Sequence, residues 1–384
     1  MAHPRVVVVG GGYGGVAVAQ QLDAVADVIL VESKDAFVHA VGTLRAVADP
    51  AFEDRVFLPY DRLLTRGRVI HDTARAVTPT RVSFSRTEFV DADYLVLATG
   101  TGYPFPAKFL ESEERVVRSR MARLRDALGR ARRVLLVGAG PVGVELAGEL
   151  TSAFPDLGVT LVDQADDILT TIDVIGQVRD SIRAQLVQRG VDLVLGAPLG
   201  FLPPMDVGRL HDFTVRTDAG VEINAQVWFR CYGNRAVTDY LAGGLLDARR
   251  PDGTLRVTEH LNVAGHEHVF AVGDIADLPE TKRADAARAH GRVVATNIAD
   301  LIAGRAPSTV YEPPPERIVL PLGPDGGASQ LLDGSGVPRF HGPEETSRMK
   351  GVDLFADLMA EQFHRFDDVT EHSRSEDTSL EYTG

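Results

Sequence analysis

The chain has 384 residues, 44% hydrophobic and 24% charged, with 37 glycines, 21 prolines and one cysteine; this is an ordinary globular composition, and at ~150 residues per domain it suggests two or three folded units. A formal charge of −14 disfavours nucleic acid as a partner and repels an anionic membrane surface, because both attract basic proteins. The single cysteine, Cys231, excludes an intrachain disulfide, a CxxC redox centre, a zinc site built on several Cys and an all-Cys iron–sulfur cluster, and no metal is expected.

The opening, Met1-Ala2-His3-Pro4-Arg5, lacks the pattern of a signal peptide, and Ala2 stands where myristoylation needs glycine. No run approaches the ~18 apolar residues of a membrane span. A cytoplasmic location follows as the expectation, with at most peripheral contact with the inner face of the membrane. Val6–Val9 is a continuous apolar run and reads as a strand buried on both faces. Gly10-Gly11-Gly12-Tyr13-Gly14-Gly15 follows, then a short helix over 16–22 and a strand over 27–32 ending in Glu32. Together these form a βαβ unit.

Tyr94–Leu97 reads as a buried strand that runs into the turn Ala98-Thr99-Gly100. The opening pattern then recurs. Residues 133–137 are a strand, Gly138-Ala139-Gly140-Pro141-Val142-Gly143 a glycine turn, 145–150 a helix, and 159–163 a strand ending in Asp163. Val227–Gly233 resembles the 94–100 segment, with Arg230 marking a partly exposed position. Val269–Asp274 is another strand ending in an acid, followed by a helix over 284–302. Prolines 307, 313, 314 and 315 mark a linker, and residues 317–340 read as short strands joined by glycine-rich turns. Residues 344–366 fit one amphipathic helix with Val352, Phe355, Met359, Phe363 and Phe366 on its apolar face. Its polar face is acidic, so a core-packing helix is favoured over a membrane anchor. The tail, 367–384, is polar and acidic and is expected to be disordered.

Each glycine turn follows a strand, opens a helix and precedes an acid at a strand end, which is the context that makes GxGxxG specific. Gly10, Gly12 and Gly15 have the spacing, as do Gly138, Gly140 and Gly143. The first glycine makes the turn, the second admits a diphosphate to the backbone, and the third lets helix and strand approach. Glu32 and Asp163 are the candidate acceptors for ribose hydroxyls. Asp163 repels a 2′-phosphate, Asp166 and Asp167 add negative charge, and no arginine lies between 159 and 170. NADH is therefore expected over NADPH.

Four motifs in this order, Gly10–Gly15 with Glu32, Ala98-Thr99-Gly100, Gly138–Gly143 with Glu145, and Gly273-Asp274, resemble the two-dinucleotide-binding-domain flavoproteins of the pyridine nucleotide-disulfide oxidoreductase type. Further stretches narrow the resemblance: Lys34–His39, Leu44-Arg45-Ala46, Pro104–Phe109, and Gly273–Asp277 with Lys282 and His290. These are similar to the ferroptosis suppressor protein and apoptosis-inducing-factor-like group, near the type II NADH dehydrogenases. The resemblance implies an α/β fold with two Rossmann-like dinucleotide-binding domains plus a small C-terminal α+β domain. The implied division is an FAD-binding domain at 1–104 and 232–305, an inserted NAD(H)-binding domain at 105–231, and a C-terminal domain at 306–366.

FAD and NADH are the implied cofactors. The residues carried over for binding them are the two glycine turns with Tyr13 and Gly14, Glu32, Ser33, Lys34, Arg45, Ala74, Ala98, Thr99, Gly100, Asp163, Gly233, Gly273, Asp274 and Lys282. Lys108 and Glu145 are implied beside the flavin, where a cation favours the reduced, anionic ring. From the residues alone, Lys108 could also be a solvated loop charge. Glu145 could equally be a helix-face acid, orient the nicotinamide amide or pair with Lys108. His39 and His290 are either proton donors or structural hydrogen-bonding residues, and Arg45 is a candidate for the flavin pyrimidine edge.

Only four lysines stand among 40 basic residues. An ammonium is not interchangeable with a guanidinium, so Lys34, Lys108, Lys282 and Lys350 draw attention. The implied reaction passes hydride from NADH to flavin and electrons onward to a quinone-type acceptor without a redox disulfide. Two alternatives remain: an NADH-dependent ferredoxin or rubredoxin reductase, and an apoptosis-inducing-factor-like redox-sensing protein, with a homodimer compatible with each.

Overall fold

The apolar runs that precede the glycine turns become the central strands of two parallel sheets. A computed structural model of the chain describes residues 3–364. In chain order the elements that matter here begin with β1 (Arg5–Val9), α1 (Tyr13–Leu22) and β2 (Asp27–Glu32). They continue with α2 (Thr43–Ala48), β3 (Arg68–His71), β4 (Tyr94–Leu97) and α3 (Glu114–Arg130). Then come β5 (Arg133–Val137), α4 (Pro141–Ala153), β6 (Gly158–Val162), α5 (Gly176–Gln188), β7 (Asp192–Val194) and β8 (Val227–Arg230). The last are β9 (Val269–Ala271), α6 (Ala284–Ile302), β10 (Ile318–Leu322), β11 (Gly326–Leu332), β12 (Pro338–His341) and α7 (Ala356–Gln362).

The first sheet has the order β9-β4-β1-β2-β3 and the second β7-β6-β5-β8, and every pairing within them is parallel. In each, the strand before the glycine turn is central and the strand ending in the acid lies beside it. The first sheet draws its strands from residues 5–97 and 269–271, so the second sheet is an insertion within it. A short antiparallel pair, Thr101–Gly102 with Arg235–Ala236, ties the two crossings together.

Alternation of side chains along each central strand fills both faces. Val6 and Val8 face the cluster beneath α1 and α6, while Val7 and Val9 face the opposite cluster with Val77, Leu241 and Leu245. Val6, Val7 and Val8 are fully buried, each contributing roughly 1.5–3 kcal/mol of apolar burial. In the second sheet Val134 and Leu136 pack toward α4, and Leu135 and Val137 toward Trp228.

The antiparallel sheet β10-β11-β12 matches the strands expected within 317–340. It packs on α4, with Leu320 and Leu322 joining the core of the second sheet. Beyond it the expected continuous helix over 344–366 does not form. A single turn, Pro343–Thr346, gives way to a wide turn at Ser347–Gly351, and Leu354 and Phe355 both take left-handed φ of 54° and 62°. The helix resumes only as α7. Val352, expected on the apolar face, is 63% exposed, whereas Leu354, Met359 and Phe363 are buried. Phe366 and the tail lie outside the described residues.

The helix breaks because its carbonyls are committed elsewhere. Arg45 on α2 donates from Nη1 to the carbonyls of Gly351 and Val352. Its Nε and Nη2 grip Glu149 of α4 at 2.9 and 2.8 Å. Both side chains are 6% exposed. Burial keeps the Glu149 carboxyl pKa above its usual range despite that partner. Arg45, placed by its sequence position at a flavin edge, is not among the residues lining the cleft between the two glycine turns; it ties α2 to α4 and to the 351–352 segment.

Removing one member of a buried pair leaves an uncompensated charge, so Arg45→Ala and Glu149→Ala should each cost about 3–5 kcal/mol in urea unfolding. The double change Arg45→Met with Glu149→Leu should retain more stability than either single change. Exposed-pair behaviour, a loss below about 1 kcal/mol, would contradict this role.

Candidate functional site

The two glycine turns are close copies. Gly10 and Gly138 take φ of +105° and +110°, and a Cβ on Gly15 or Gly143 would sit 1.9 Å from the carbonyl oxygen of Gly10 or Gly138. No side chain fits there, so helix and strand touch. At Gly12 a Cβ would meet nothing within 4 Å, and at Gly140 only Thr171 Oγ1 at 3.6 Å. Both turns thus leave open space over the N-terminus of a helix, which is what a diphosphate requires.

Each acid is aimed by the turn it serves. Glu32 accepts from the Gly11 amide at 2.6 Å and the Lys34 amide at 2.9 Å, and the Ser33 hydroxyl donates to it at 3.1 Å. Asp163 accepts from the amides of Ala139 at 2.6 Å and Ala165 at 2.8 Å. A carboxylate offers about four acceptor sites, so both keep capacity for a ribose hydroxyl.

A cleft of 2880 Å³ runs between the two turns, lined by Tyr13, Lys108, Gly140, Glu145, Asp163 and Asp274 among others. Ala98-Thr99-Gly100 packs against the first glycine turn at the end of β4, without lining the cleft; the Ala98 carbonyl lies 2.5 Å from where a Gly10 Cβ would be, and Thr99 donates to Val237 O at 2.6 Å. Gly233 and Lys282 also line the cleft, and Lys282 donates to Ala276 O at 2.7 Å. Gly273, with φ of +70°, leads Asp274 into it. Ala74 packs against the apolar cluster on the far face of the first sheet and is not among the lining residues.

The lysines reach the site in an arrangement that their sequence spacing hides. Lys108 Nζ donates to Thr101 Oγ1 at 2.6 Å and to Thr101 O at 2.9 Å, and lies 3.1 Å from Asp274. Glu145 does not pair with Lys108. Its partner is Lys350, at 2.8 Å, which arrives from the C-terminal layer and also donates to Val319 O. Three of the four lysines line the cleft, and Lys34 is the exception. The rarity of lysine was the one sequence signal pointing to Lys350.

The two histidines are fixed by hydrogen bonds and are not free to donate. His39 is 1% exposed. Tyr13 Oη donates to its Nδ1 at 2.9 Å, and its Nε2–H donates to Leu354 O at 2.7 Å. Burial lowers its pKa to about 4, so the ring is neutral at pH 7. His290 accepts from the Gly273 amide at 3.0 Å and meets Glu280 at 2.7 Å. Burial pushes the Glu280 carboxyl up, but hydrogen bonds from His290 and Tyr311 bring it below the ordinary value. Cys231 packs behind Gly143, and burial pushes its thiol up to about 12.

These features fit two dinucleotides end to end: open diphosphate cradles, aimed acids, and cations where the two would meet. Residues 4–291 match the model of the pyridine nucleotide-disulphide oxidoreductase family, and the chain belongs to it. Ferroptosis suppressor protein 1 of Taeniopygia guttata is 32% identical over 337 residues, covering 85% of this chain and 88% of that protein. Apoptosis-inducing factor homolog B of Dictyostelium discoideum is 26% identical over 378 residues, covering 94% and 97%. Among solved structures, the sulfide:quinone oxidoreductase from Aquifex aeolicus superposes with a TM-score of 0.72 at 16% identity, covering 94% of this chain and 91% of that one. The family uses FAD and NAD(P)H. No helix among the described residues is long and apolar enough to cross a membrane.

The neutral His39 also makes a stability prediction. The unfolded ring titrates near 6.5 and the folded ring near 4, so the unfolded state binds the proton first. Its contribution is complete above pH 6.5 and is lost as pH falls through 4, by about 3 kcal/mol. Denaturant unfolding of His39→Gln should show that much less loss between pH 6.5 and 4. A pH profile parallel to the wild type would reject the assignment.

Proposed function

We propose that this oxidoreductase takes hydride from NADH and passes the electrons to a quinone-type acceptor, so that NADH, a proton and quinone become NAD⁺ and hydroquinone. The observation that carries the reading is the lysine-bearing cleft between two diphosphate cradles, in a chain whose one thiol is buried and protonated. Without a redox disulfide, electrons leave directly from the flavin, which suits a small oxidant. The relatives' names support the acceptor class, since the Aquifex aeolicus structure is of a sulfide:quinone oxidoreductase.

Gly10–Gly15, Glu32 and Asp274 would hold FAD, Glu32 accepting from a ribose hydroxyl and Asp274 from the ribityl chain, and the flavin would supply the two-electron carrier. NADH lies at Gly138–Gly143 with Asp163 on its ribose. Lys108 keeps one positive charge beside Asp274 where negative charge arrives with the hydride. The Glu145–Lys350 pair fixes an acid on the wall of the second cradle, where it orients the nicotinamide amide and does not wander into the path of the hydride. His39, neutral and hydrogen-bonded at both nitrogens, holds the backbone around Tyr13 and does not act as the acid. In this reading residues 1–104 with 232–305 hold FAD, 105–231 hold NADH, and 306–366 close the cleft through Lys350. The protein works in the cytoplasm, touching the membrane at most peripherally.

The purified protein should show flavin bands that bleach on anaerobic NADH, more slowly on NADPH, and return when a soluble quinone is added. Absence of flavin would end the proposal; bleaching without recovery on quinone would overturn the acceptor. Lys108→Ala should slow flavin reduction in stopped-flow by about 10²-fold while FAD remains bound. An unchanged rate would remove Lys108 from the chemistry.

A further inference from the structure

Most cations facing the cleft have an oxygen partner. Lys108 holds Asp274, Lys350 holds Glu145, Lys282 holds Ala276 O, and Arg283 pairs with Glu316 and Asp285. Arg288 differs. It stands half-buried on α6 in the cleft wall and makes no hydrogen bond or ion pair among the described residues. Its charged neighbours are Arg292, one turn further along the helix, and Asp285, already engaged by Arg283 and Arg317. Burial first, and Arg292 second, pull the guanidinium below its ordinary pKa. Two cations one turn apart, one of them desolvated and without an anion, cost the protein free energy.

The position of Arg288 shows what would repay that cost. α6 crosses α1 so closely that a Cβ on Gly14 would lie 3.0 Å from Ala287 O, and one on Gly291 would lie 2.8 Å from Ala17 Cβ. Arg288 follows Ala287 directly, which puts it at the first turn of α1. The Tyr13 phenol on that turn senses its charge, as does buried His39. Arg288, Arg292 and Tyr13 line the same cleft. The open space over Gly12 is therefore flanked by the helix N-terminus and by a guanidinium with no anion of its own. A helix terminus carries about half a charge, well short of the two that a diphosphate brings, and a guanidinium fork matches phosphate oxygens.

We propose that Arg288, backed by Arg292, is the counter-charge for the diphosphate of the flavin dinucleotide seated at Gly12 and Tyr13. This rests on assigning the first glycine turn to FAD, and it adds a residue that no glycine fingerprint contains. Arg288 is a binding residue, and the desolvated cation is tolerated because the protein is built to hold the anion.

The test uses full-length protein stripped of flavin and titrated with FAD by fluorescence quenching. Arg288→Gln should weaken FAD on the order of tenfold to a hundredfold, Arg292→Gln less, and Arg288→Lys should recover part of the loss. Riboflavin, which lacks phosphate, should bind wild type and Arg288→Gln alike. The salt dependence of FAD binding should be shallower in Arg288→Gln. The melting temperature of the stripped Arg288→Gln protein should equal or exceed that of stripped wild type, with only the FAD-induced rise reduced. FAD affinity within twofold of wild type would overturn the proposal, as would equal loss of melting temperature with and without FAD. Either result with flavin-replete wild-type protein leaves the oxidoreductase reading standing; a wild type that binds no FAD refutes that reading first.

Discussion

The buried contact of Arg45 with Glu149 is the constraint on which the arrangement depends. One guanidinium spends three of its nitrogens on two distant segments: from α2, whose Leu44, Ala46 and Val47 join the core of the second sheet, it grips α4 and takes the carbonyls of Gly351 and Val352. A charge this deep is stable only when its hydrogen bonds are filled, so α2, α4 and the 351–352 segment fix one another. The broken helix at 347–355 is one result. Carbonyls drawn toward Arg45 and His39 cannot continue an α-helical ladder, and Leu354 and Phe355 absorb the difference in left-handed conformations that cost side-chain-bearing residues roughly 1–2 kcal/mol each. The same break delivers Lys350 to Glu145, so a packing constraint at the back of the cleft becomes an electrostatic arrangement at its front.

Duplication supplies the remainder of the site. Two sheets with the same local strand order present the same turn, the same open cradle and the same amide-aimed acid, facing one cleft. The asymmetry between them is chemical. The first half adds Asp274 with Lys108 and Arg288, which has no ion pair among the described residues, while the second adds Glu145 with Lys350. One local geometry, used twice, thus offers two diphosphate cradles, and the charged side chains between them differ.

Much of this was legible in sequence because it is local. The glycine turns, their acids and the strands beside them are encoded within thirty residues, and their hydrogen bonds close inside the same span. Asp274 was found for the same reason, at the end of an apolar run. What sequence pattern could not convey is partnership across the chain. Glu145 looked like a partner for Lys108 and is instead held by a lysine 205 residues away. Arg45 occupies the position of a flavin contact yet turns inward. The 344–366 segment has helical periodicity, but periodicity cannot register that three of its carbonyls are claimed by distant donors. Arg288 has no motif at all; half-burial without a partner among the described residues is what marks it.

Cys231 has a consequence outside the catalytic cycle. It is 4% exposed behind the second glycine turn, burial pushes its thiol up to about 12, and no other thiol exists in the chain. Peroxide attacks thiolates, and burial disfavours that form here. With a single cysteine the chain cannot form an intrachain disulfide, so no dithiol–disulfide step can switch it on or off.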